Sequence, residues 1–339
     1  MRLRGWAENF YFFLRNLFFR QPIYANILLT HRCNLRCFYC NTWKARVPEL
    51  GFNEWKKILD KLRSLGVIYI GFTGGEPLLH PDVFKILNYA VEKGFIVGIT
   101  SNGTLPLEKY ERLIETGVHR ISISLDGLKE SLPHFKSSRK ILDTVKFLKE
   151  NKKRGQLIEV QSVISDLNKG LIGDVIKSCM KLGVSWIFQL VSYSSEEMKG
   201  YLKAESNYAK SLDFKFCLKS YFFSSNTLSY TIKSYLYTKK HKKLGCKAGV
   251  NFIAIDSNGN LCACQDFCFA TNFLNTSLKE KEIKDKFKEV RNGCWGCTYI
   301  CYFRASNIYN PLFWLDFFVS SIKSFAVRRV FGFIFRTRV

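Results

Sequence analysis

Cys33-Asn34-Leu35-Arg36-Cys37-Phe38-Tyr39-Cys40 follows directly on the apolar run Ala25 to Thr30, and this junction decides how the rest of the chain is read. A strand-length run that ends in a polar loop is the first half of a βα unit, and the amphipathic stretch near 53–65 supplies the second half. The alternation repeats. Strands are expected at Val67 to Thr73, Phe95 to Thr100, Val118 to Leu125, Leu157 to Ile164 and Val184 to Val191, with helices near 81–93, 106–116, 138–151 and 170–182 between them. Asn53 and Ser138 suit helix starts, and Gly66, Gly94, Gly117 and Gly183 suit helix ends. Six such units predict an α/β fold, a partial (β/α)6 TIM-like barrel. A full eightfold barrel needs two more units, which the residues after Ser192 do not supply.

Barrel proteins carry their chemistry on loops at the carboxyl ends of the strands, which is where the Cys33-x3-Cys37-x2-Cys40 loop falls. Three thiolates at this spacing can hold three irons of a [4Fe-4S] cluster and leave the fourth iron open to an outside ligand. A zinc knuckle is the competing assignment, but structural zinc takes four protein ligands and the adjacent His31 sits awkwardly at the strand end. An inert trio of thiols is the third.

Composition narrows the class. With 339 residues, 47% of them hydrophobic, and only 7 Pro, the chain is not collagen-like, mucin-like or wholly disordered. Lys and Arg number 52 against 28 Asp and Glu, a formal charge of +24 that favours an anionic partner. The 12 cysteines are clustered, and the basic, aromatic start lacks the apolar core and cleavage site of a secretory signal. A cytoplasmic location is therefore expected, where clustered thiols more often bind metal than pair. No run supplies the ~20 apolar residues of a membrane span. The best candidate, Leu312 to Val327, contains Asp316 and Lys323.

Residues 24–191 resemble a radical S-adenosylmethionine (radical SAM) enzyme. The resemblance is carried by four motifs in order: the cysteine loop, Gly74-Gly75-Glu76-Pro77, Thr100-Ser101-Asn102-Gly103 and Ser122-Ile123-Ser124-Leu125-Asp126-Gly127. It implies that Cys33, Cys37 and Cys40 ligate a [4Fe-4S] cluster whose open iron is chelated by S-adenosyl-L-methionine. Reductive cleavage would then give a 5'-deoxyadenosyl radical that abstracts hydrogen from a substrate. It further implies that Gly74 and Gly75, with Glu76 and Pro77, let the backbone approach the methionine amino group, and that Tyr39 packs near the adenine. Asn102, Ser124 and Asp126 would serve ribose or carboxylate. Turn formation alone also accounts for Asn-Gly and Asp-Gly after a strand. Arg139 is a candidate for the cofactor carboxylate, although His134-Phe135 departs from the family pattern upstream of it. An electron donor such as flavodoxin or ferredoxin is implied as a partner.

The second cysteine group resembles the auxiliary-cluster extension of this family, termed SPASM with two clusters and twitch with one. Cys246-x12-Gly259-x4-Cys264 matches its hairpin, with strands Asn251 to Ile255 and Asn260 to Cys264 about the turn Asp256-Ser257-Asn258-Gly259. Cys294-x2-Cys297-x3-Cys301 matches part of its second half, and a charged helix near Leu278 to Arg291 lies between. One auxiliary [4Fe-4S] cluster is implied, held by Cys246, Cys264, Cys294 and Cys297 or Cys301, with Cys262 and Cys268 as spare candidates. A zinc ribbon suits the same thiols. Cys179 and Cys217 read as core thiols. The expected organisation is an amphipathic helix at 1–20, the barrel at 21–191, a connector or insertion at 192–245, a cysteine-rich α+β auxiliary module at 246–305 and a basic aromatic tail at 306–339.

Residues 1–20 hold 7 aromatics and residues 302–339 hold 11, so 18 of the 52 aromatics fall in 58 residues. Both ends are basic. Leu3, Trp6, Phe10, Phe13 and Leu17, and then Leu315, Phe318, Ile322 and Phe325, recur at helical spacing. Two readings stand: helices lying in an anionic membrane interface, or helices packed on the barrel. Nucleic acid fits poorly, because the cations sit among large apolar side chains. The substrate readings are a lipid or membrane-associated molecule, a ribosomally made peptide or protein, or none, with the chain a metal-binding membrane adaptor.

Overall fold

In the computed structural model, residues 3–19, 21–128, 136–165, 167–190, 224, 230, 246–265, 267–293, 300–307 and 310 are described, with Leu312, Leu315, Asp316, Phe318 and Val319. The connector 192–245, nearly all of it, and Cys217, Cys294 and Cys297 lie outside these residues, as do the side chains of Leu3, Trp6, Leu17 and Cys301.

Six parallel strands alternate with helices as the pattern predicts: β1 (Tyr24–Leu28), β2 (Tyr69–Thr73), β3 (Ile96–Ser101), β4 (Arg120–Ser124), β5 (Leu157–Ile164) and β6 (Ser185–Leu190). The helices are α2 (Phe52–Ser64), α3 (Val83–Glu92), α4 (Leu107–Glu115), α5 (Arg139–Asn151) and α6 (Ile172–Leu182), preceded by α1 (Leu3–Phe19). Ser138 caps α5 by accepting from the Lys140 amide, and Gly183 ends α6 in the left-handed region, where a side chain would be strained. The residue before α2 is Gly51, so Asn53 lies inside the helix and does not cap it.

The sheet runs β6-β5-β4-β3-β2-β1-β7-β8-β9, with β7 (Phe252–Ile255), β8 (Asn260–Cys264) and β9 (Phe267–Asn272). β7 pairs in parallel with β1, Tyr24 opposite Phe252 and Ile27 opposite Ile255. The expected auxiliary module is thus continuous with the barrel sheet and does not stand apart from it. α7 (Lys281–Gly293) and α8 (Ile300–Asn307) follow.

The two faces of the sheet differ. Ile121, Ile123, Ile158, Val160 and their neighbours pack under the helices in one apolar core. Parallel strands are ordinarily apolar on both faces, yet the concave face here is polar. Ser122 Oγ donates to Glu159 Oε1 (2.6 Å), Glu159 pairs with Arg120 (3.4 Å), and Gln161 Nε2 donates to Gln189 Oε1 (3.1 Å).

Candidate functional site

The loop after β1 returns over the carboxyl ends of the strands because polar groups fasten it at both ends. Glu49 accepts a bidentate pair from Arg32 (3.0 and 2.7 Å) and also the Thr30 hydroxyl. His31 Nδ1 pairs with Ser257 Oγ (2.9 Å) in the β7–β8 turn, and the Leu50 amide donates to Ser257 O (2.9 Å). Inside this frame the Cys40 amide donates to Cys37 O (3.1 Å), forming the turn that brings the last two cysteines round.

Cys37 is buried, Cys33 and Cys40 are half-buried, and all three are free thiols. Burial pushes the Cys37 thiol up to about 11 and raises Cys33 as well, so each thiolate needs nearby positive charge. Lys136 supplies some of it. Burial works against its ammonium, but Cys37, Asp126, Cys40 and Cys33 together hold its pKa above the ordinary value. Three free thiols on one loop at the carboxyl end of β1 are a donor set that fits an iron-sulfur cluster. Arg139, the expected cation, is instead exposed at the first position of α5. Lys136 lies three residues earlier in an irregular segment, where periodicity gives no signal.

The glycine pair has a packing role of its own. A Cβ on Gly74 (φ +143°) would stand 2.3 Å from Thr30 O, and one on Gly75 would stand 2.3 Å from Arg32 O. The Gly75 amide donates to Thr30 O (2.7 Å) and the Glu76 amide to Arg32 O (2.8 Å). Close approach between the β2 exit and the start of the cysteine loop therefore accounts for both glycines. Pro77 begins a buried 3-10 turn, Pro77–Leu79.

Glu76 is buried, and its carboxylate accepts from the Leu78 amide (3.2 Å) and the Asn102 amide (2.7 Å), tying the β2 exit to the β3 exit. Asn102 Nδ2 donates to Asn34 Oδ1 (2.7 Å) and lies 4.0 Å from Cys33 Sγ. Asn34, which no motif argument singled out, donates onward to Thr104 Oγ1 (2.9 Å). Asp126 is also buried. Tyr39 donates its hydroxyl to one carboxylate oxygen, and the Val163 amide donates to the other (2.8 Å). Ser124 is buried at the end of β4, two residues from Ser122 on the concave face. The expected residues Tyr39, Glu76, Asn102 and Asp126 are thus brought together with the cysteines, and these hydrogen bonds brace the loop.

A pH dependence follows from Glu76. Burial lifts its carboxyl from 4.5 to about 7, so between those values the folded chain binds a proton that the unfolded chain has released. Its stabilising effect is full below pH 4.5, shrinks as pH rises, and is gone above about 7. The melting temperature of Glu76→Gln minus that of the parent should climb from pH 4.5 to 7 and then level off. A flat difference across that window would refute this.

At the auxiliary group, Cys246 and Cys264 are half-buried and pack against the core. β8 runs antiparallel to β7, so Cys264 lies at the amino end of β7, as does Cys246, away from the end that carries Cys33. Cys262 and Cys268, the spare candidates, are joined to each other as a disulfide across β8 and β9, because the register sets them directly opposite. Cys179 is a buried core thiol, as expected.

Residues 27–164 match the sequence model of the Radical SAM superfamily. The chain is 32% identical to PqqA peptide cyclase of Bradyrhizobium diazoefficiens over 38% of its own length and 36% of that protein. It is 29% identical to GTP 3',8-cyclase of Clostridium botulinum over 80% of its own length and 90% of that protein. The structure of Streptococcus suis SuiB bound to precursor peptide SuiA has the same fold, with a TM-score of 0.61 at 17% identity, covering 80% of this chain and 67% of that one. The chain spans about a third of the length of the first curated relatives it matches.

Proposed function

We propose that this chain, whose residues 27–164 match the Radical SAM superfamily, cleaves S-adenosyl-L-methionine reductively and uses the resulting radical on a peptide or protein substrate. The placing of the Cys33-Cys37-Cys40 loop at the carboxyl end of β1, where Asn102 Nδ2 lies 4.0 Å from Cys33 Sγ and Tyr39 bonds Asp126, carries the proposal. These three cysteines would hold the [4Fe-4S] cluster, and the cluster with its cofactor supplies the electron and the 5'-deoxyadenosyl radical that abstracts hydrogen.

The chain's own residues do the rest. Lys136 would offset the negative charge of the three cysteines as thiolate ligands. Asp126, through Tyr39, and Asn102, through Asn34, hold the cysteine loop rigid so that its sulfurs need not reorganise. Glu76 locks the two strand exits beside it. Ser124 and the concave-face groups Ser122, Gln161 and Gln189 offer hydroxyl and amide partners to a guest. Cys246 and Cys264 would contribute to one auxiliary cluster, with Cys294 and Cys297 or Cys301. An electron donor such as flavodoxin or ferredoxin would reduce the first cluster.

The concave face supports a peptide over a polyphosphate. Its amides match backbone donors and acceptors, and among the described residues its Arg120 is already paired with Glu159. The names of PqqA peptide cyclase and of the SuiB complex with its precursor peptide support the same class. A nucleotide substrate is the second reading, favoured by the length over which GTP 3',8-cyclase aligns. A lipid substrate rests only on the apolar ends of the chain.

The test is anaerobic incubation of reconstituted protein with dithionite and S-adenosyl-L-methionine. Equimolar methionine and 5'-deoxyadenosine are expected, and their absence from iron-loaded protein would overturn the proposal. Deuterium passing into 5'-deoxyadenosine from labelled peptides, and not from labelled GTP, would support the peptide class.

A further inference from the structure

α1 is fixed to the barrel by one face. Asn9 Nδ2 donates to Gly94 O (3.2 Å), Asn16 Nδ2 to Gly66 O (2.8 Å) and Arg15 Nη2 to Leu65 O (2.6 Å). Arg63 bonds Asn9 Oδ1 (2.8 Å), pairs with Glu8 (2.9 Å) and lies over the buried Phe12 ring. The buried stripe is therefore Asn9, Phe12 and Asn16. Phe10, on the apolar stripe for which both packing and a membrane interface were open, faces out.

The outer face is apolar. Phe10, Tyr11, Leu14, Phe18 and Phe19 are exposed, Phe18 at 80% and Phe10 at 64%. Tyr11, Leu14 and Phe18 recur at helical spacing on one stripe. They have not been left out for want of room in the core; they are on a helix whose other face is already tied down.

Topology fixes which end of the barrel this is. Leu65, Gly66 and Gly94 belong to the turns that lead from α2 into β2 and from α3 into β3. Such turns lie at the amino ends of the strands, opposite the cysteine loop. The C-terminal segment leaves from the same end. Asn251 O accepts from the amides of Ile23 (2.9 Å) and Tyr24 (3.3 Å) at the start of β1, while Asn251 Nδ2 donates to Ala305 O and Ser306 O (3.0 and 3.2 Å) at the end of α8. A few residues beyond, helical Leu312, Leu315, Phe318 and Val319 are exposed too.

Charge selects the partner. The chain carries +24 overall; residues 1–20 contribute four Arg against Glu8, and residues 302–339 contribute six Lys and Arg against Asp316. Lys152 and Arg154, in the turn from α5 into β5, add cations to this end of the barrel, while Lys153 beside them is paired with Glu115 (2.9 Å). Apolar stripes set among cations match an anionic bilayer interface. Among the described residues no helix is long and apolar enough to cross a membrane, so contact would be peripheral.

We propose that the amino end of the barrel, through the outer face of α1 and the exposed residues at 312–319, docks on anionic phospholipid bilayers and turns the mouth with its cysteine loop away from the lipid. On this orientation the membrane localises the protein while its substrate arrives from the aqueous side. The orientation argues against a bilayer lipid as substrate and does not depend on the chemistry at the cysteines.

The experiment uses full-length reconstituted protein, sedimented with vesicles of phosphatidylglycerol and phosphatidylcholine or of phosphatidylcholine alone. Partition into the anionic vesicles is expected, falling about tenfold or more in Phe10→Ser/Phe18→Ser and falling with added salt. Neither substituted side chain packs in the core, so 5'-deoxyadenosine formation and melting temperature should stay at the parent's values. Hydrogen exchange on vesicles should slow at 8–19 and 312–319 and stay unchanged at 33–50 and 74–80. Equal partition by parent and variant, no partition at all, or slowed exchange at 33–50 would overturn the proposal. So would a vesicle-free dimer that the variant dissociates, since a second copy would then be the occupant.

Discussion

Cys37→Ala should abolish the formation of 5'-deoxyadenosine, with a fall on the order of a thousandfold or more, the scale seen when one member of a unit that acts together is removed. The residue is buried, its carbonyl closes the turn to Cys40, and its thiol contributes to the electrostatic field around Lys136. Removing it leaves two of the three ligands the cluster needs. Cys179→Ala is the control, because Cys179 sits in the core of α6 and burial alone pushes its thiol up. That variant should retain 5'-deoxyadenosine formation within about twofold, small next to the loss at Cys37. If both variants lost activity equally, or neither did, the cysteine loop would not be the reaction centre.

Gly74→Ala should have the next largest effect, and for a reason that has nothing to do with a bound cofactor. Its φ of +143° is open to glycine and strained for other residues, and the added methyl would stand 2.3 Å from the Thr30 carbonyl oxygen. Backbone meets backbone there, so relief requires the β2 exit and the cysteine loop to separate. A loss of about 3 kcal/mol in stability is expected, together with lower iron content at the trio. Gly173→Ala, in α6 with nothing within 4 Å of the added carbon, should be neutral or stabilising by up to about 1 kcal/mol. Calorimetry on the two variants separates them, and an unshifted melting temperature for Gly74→Ala would count against close packing as the role of this glycine.

The βα repeat was legible because apolar periodicity and glycine stops are local, and five of the six strands differ from their expected ranges by a few residues at their ends while β5 coincides. Pairing between distant segments was not legible. Nothing in Phe252–Ile255 says that it will lie beside β1, and so the hairpin read as a separate module when it extends the barrel sheet. The three cysteines were legible from spacing and strand context. Lys136 was not, since a single lysine in an irregular segment looks like any solvated cation. The glycine pair signalled a close approach, but the protein neighbour that makes one, the Thr30 and Arg32 carbonyls, was not legible, because a glycine reveals that something approaches closely and not what it is. α1 packs on the barrel through Asn9 and Asn16, one of the two readings offered for it, and leaves Phe10 and Phe18 exposed. Asparagines facing loop carbonyls do not register on an apolar stripe.

Counting iron and acid-labile sulfide in anaerobically reconstituted parent and in the Cys33→Ala/Cys37→Ala/Cys40→Ala variant tests the central claim most directly. The parent should exceed the variant by about four irons and four sulfides, and any iron that remains belongs to the auxiliary cysteines. Equal iron in the two proteins, or zinc alone in the parent, would contradict a cluster at the end of β1.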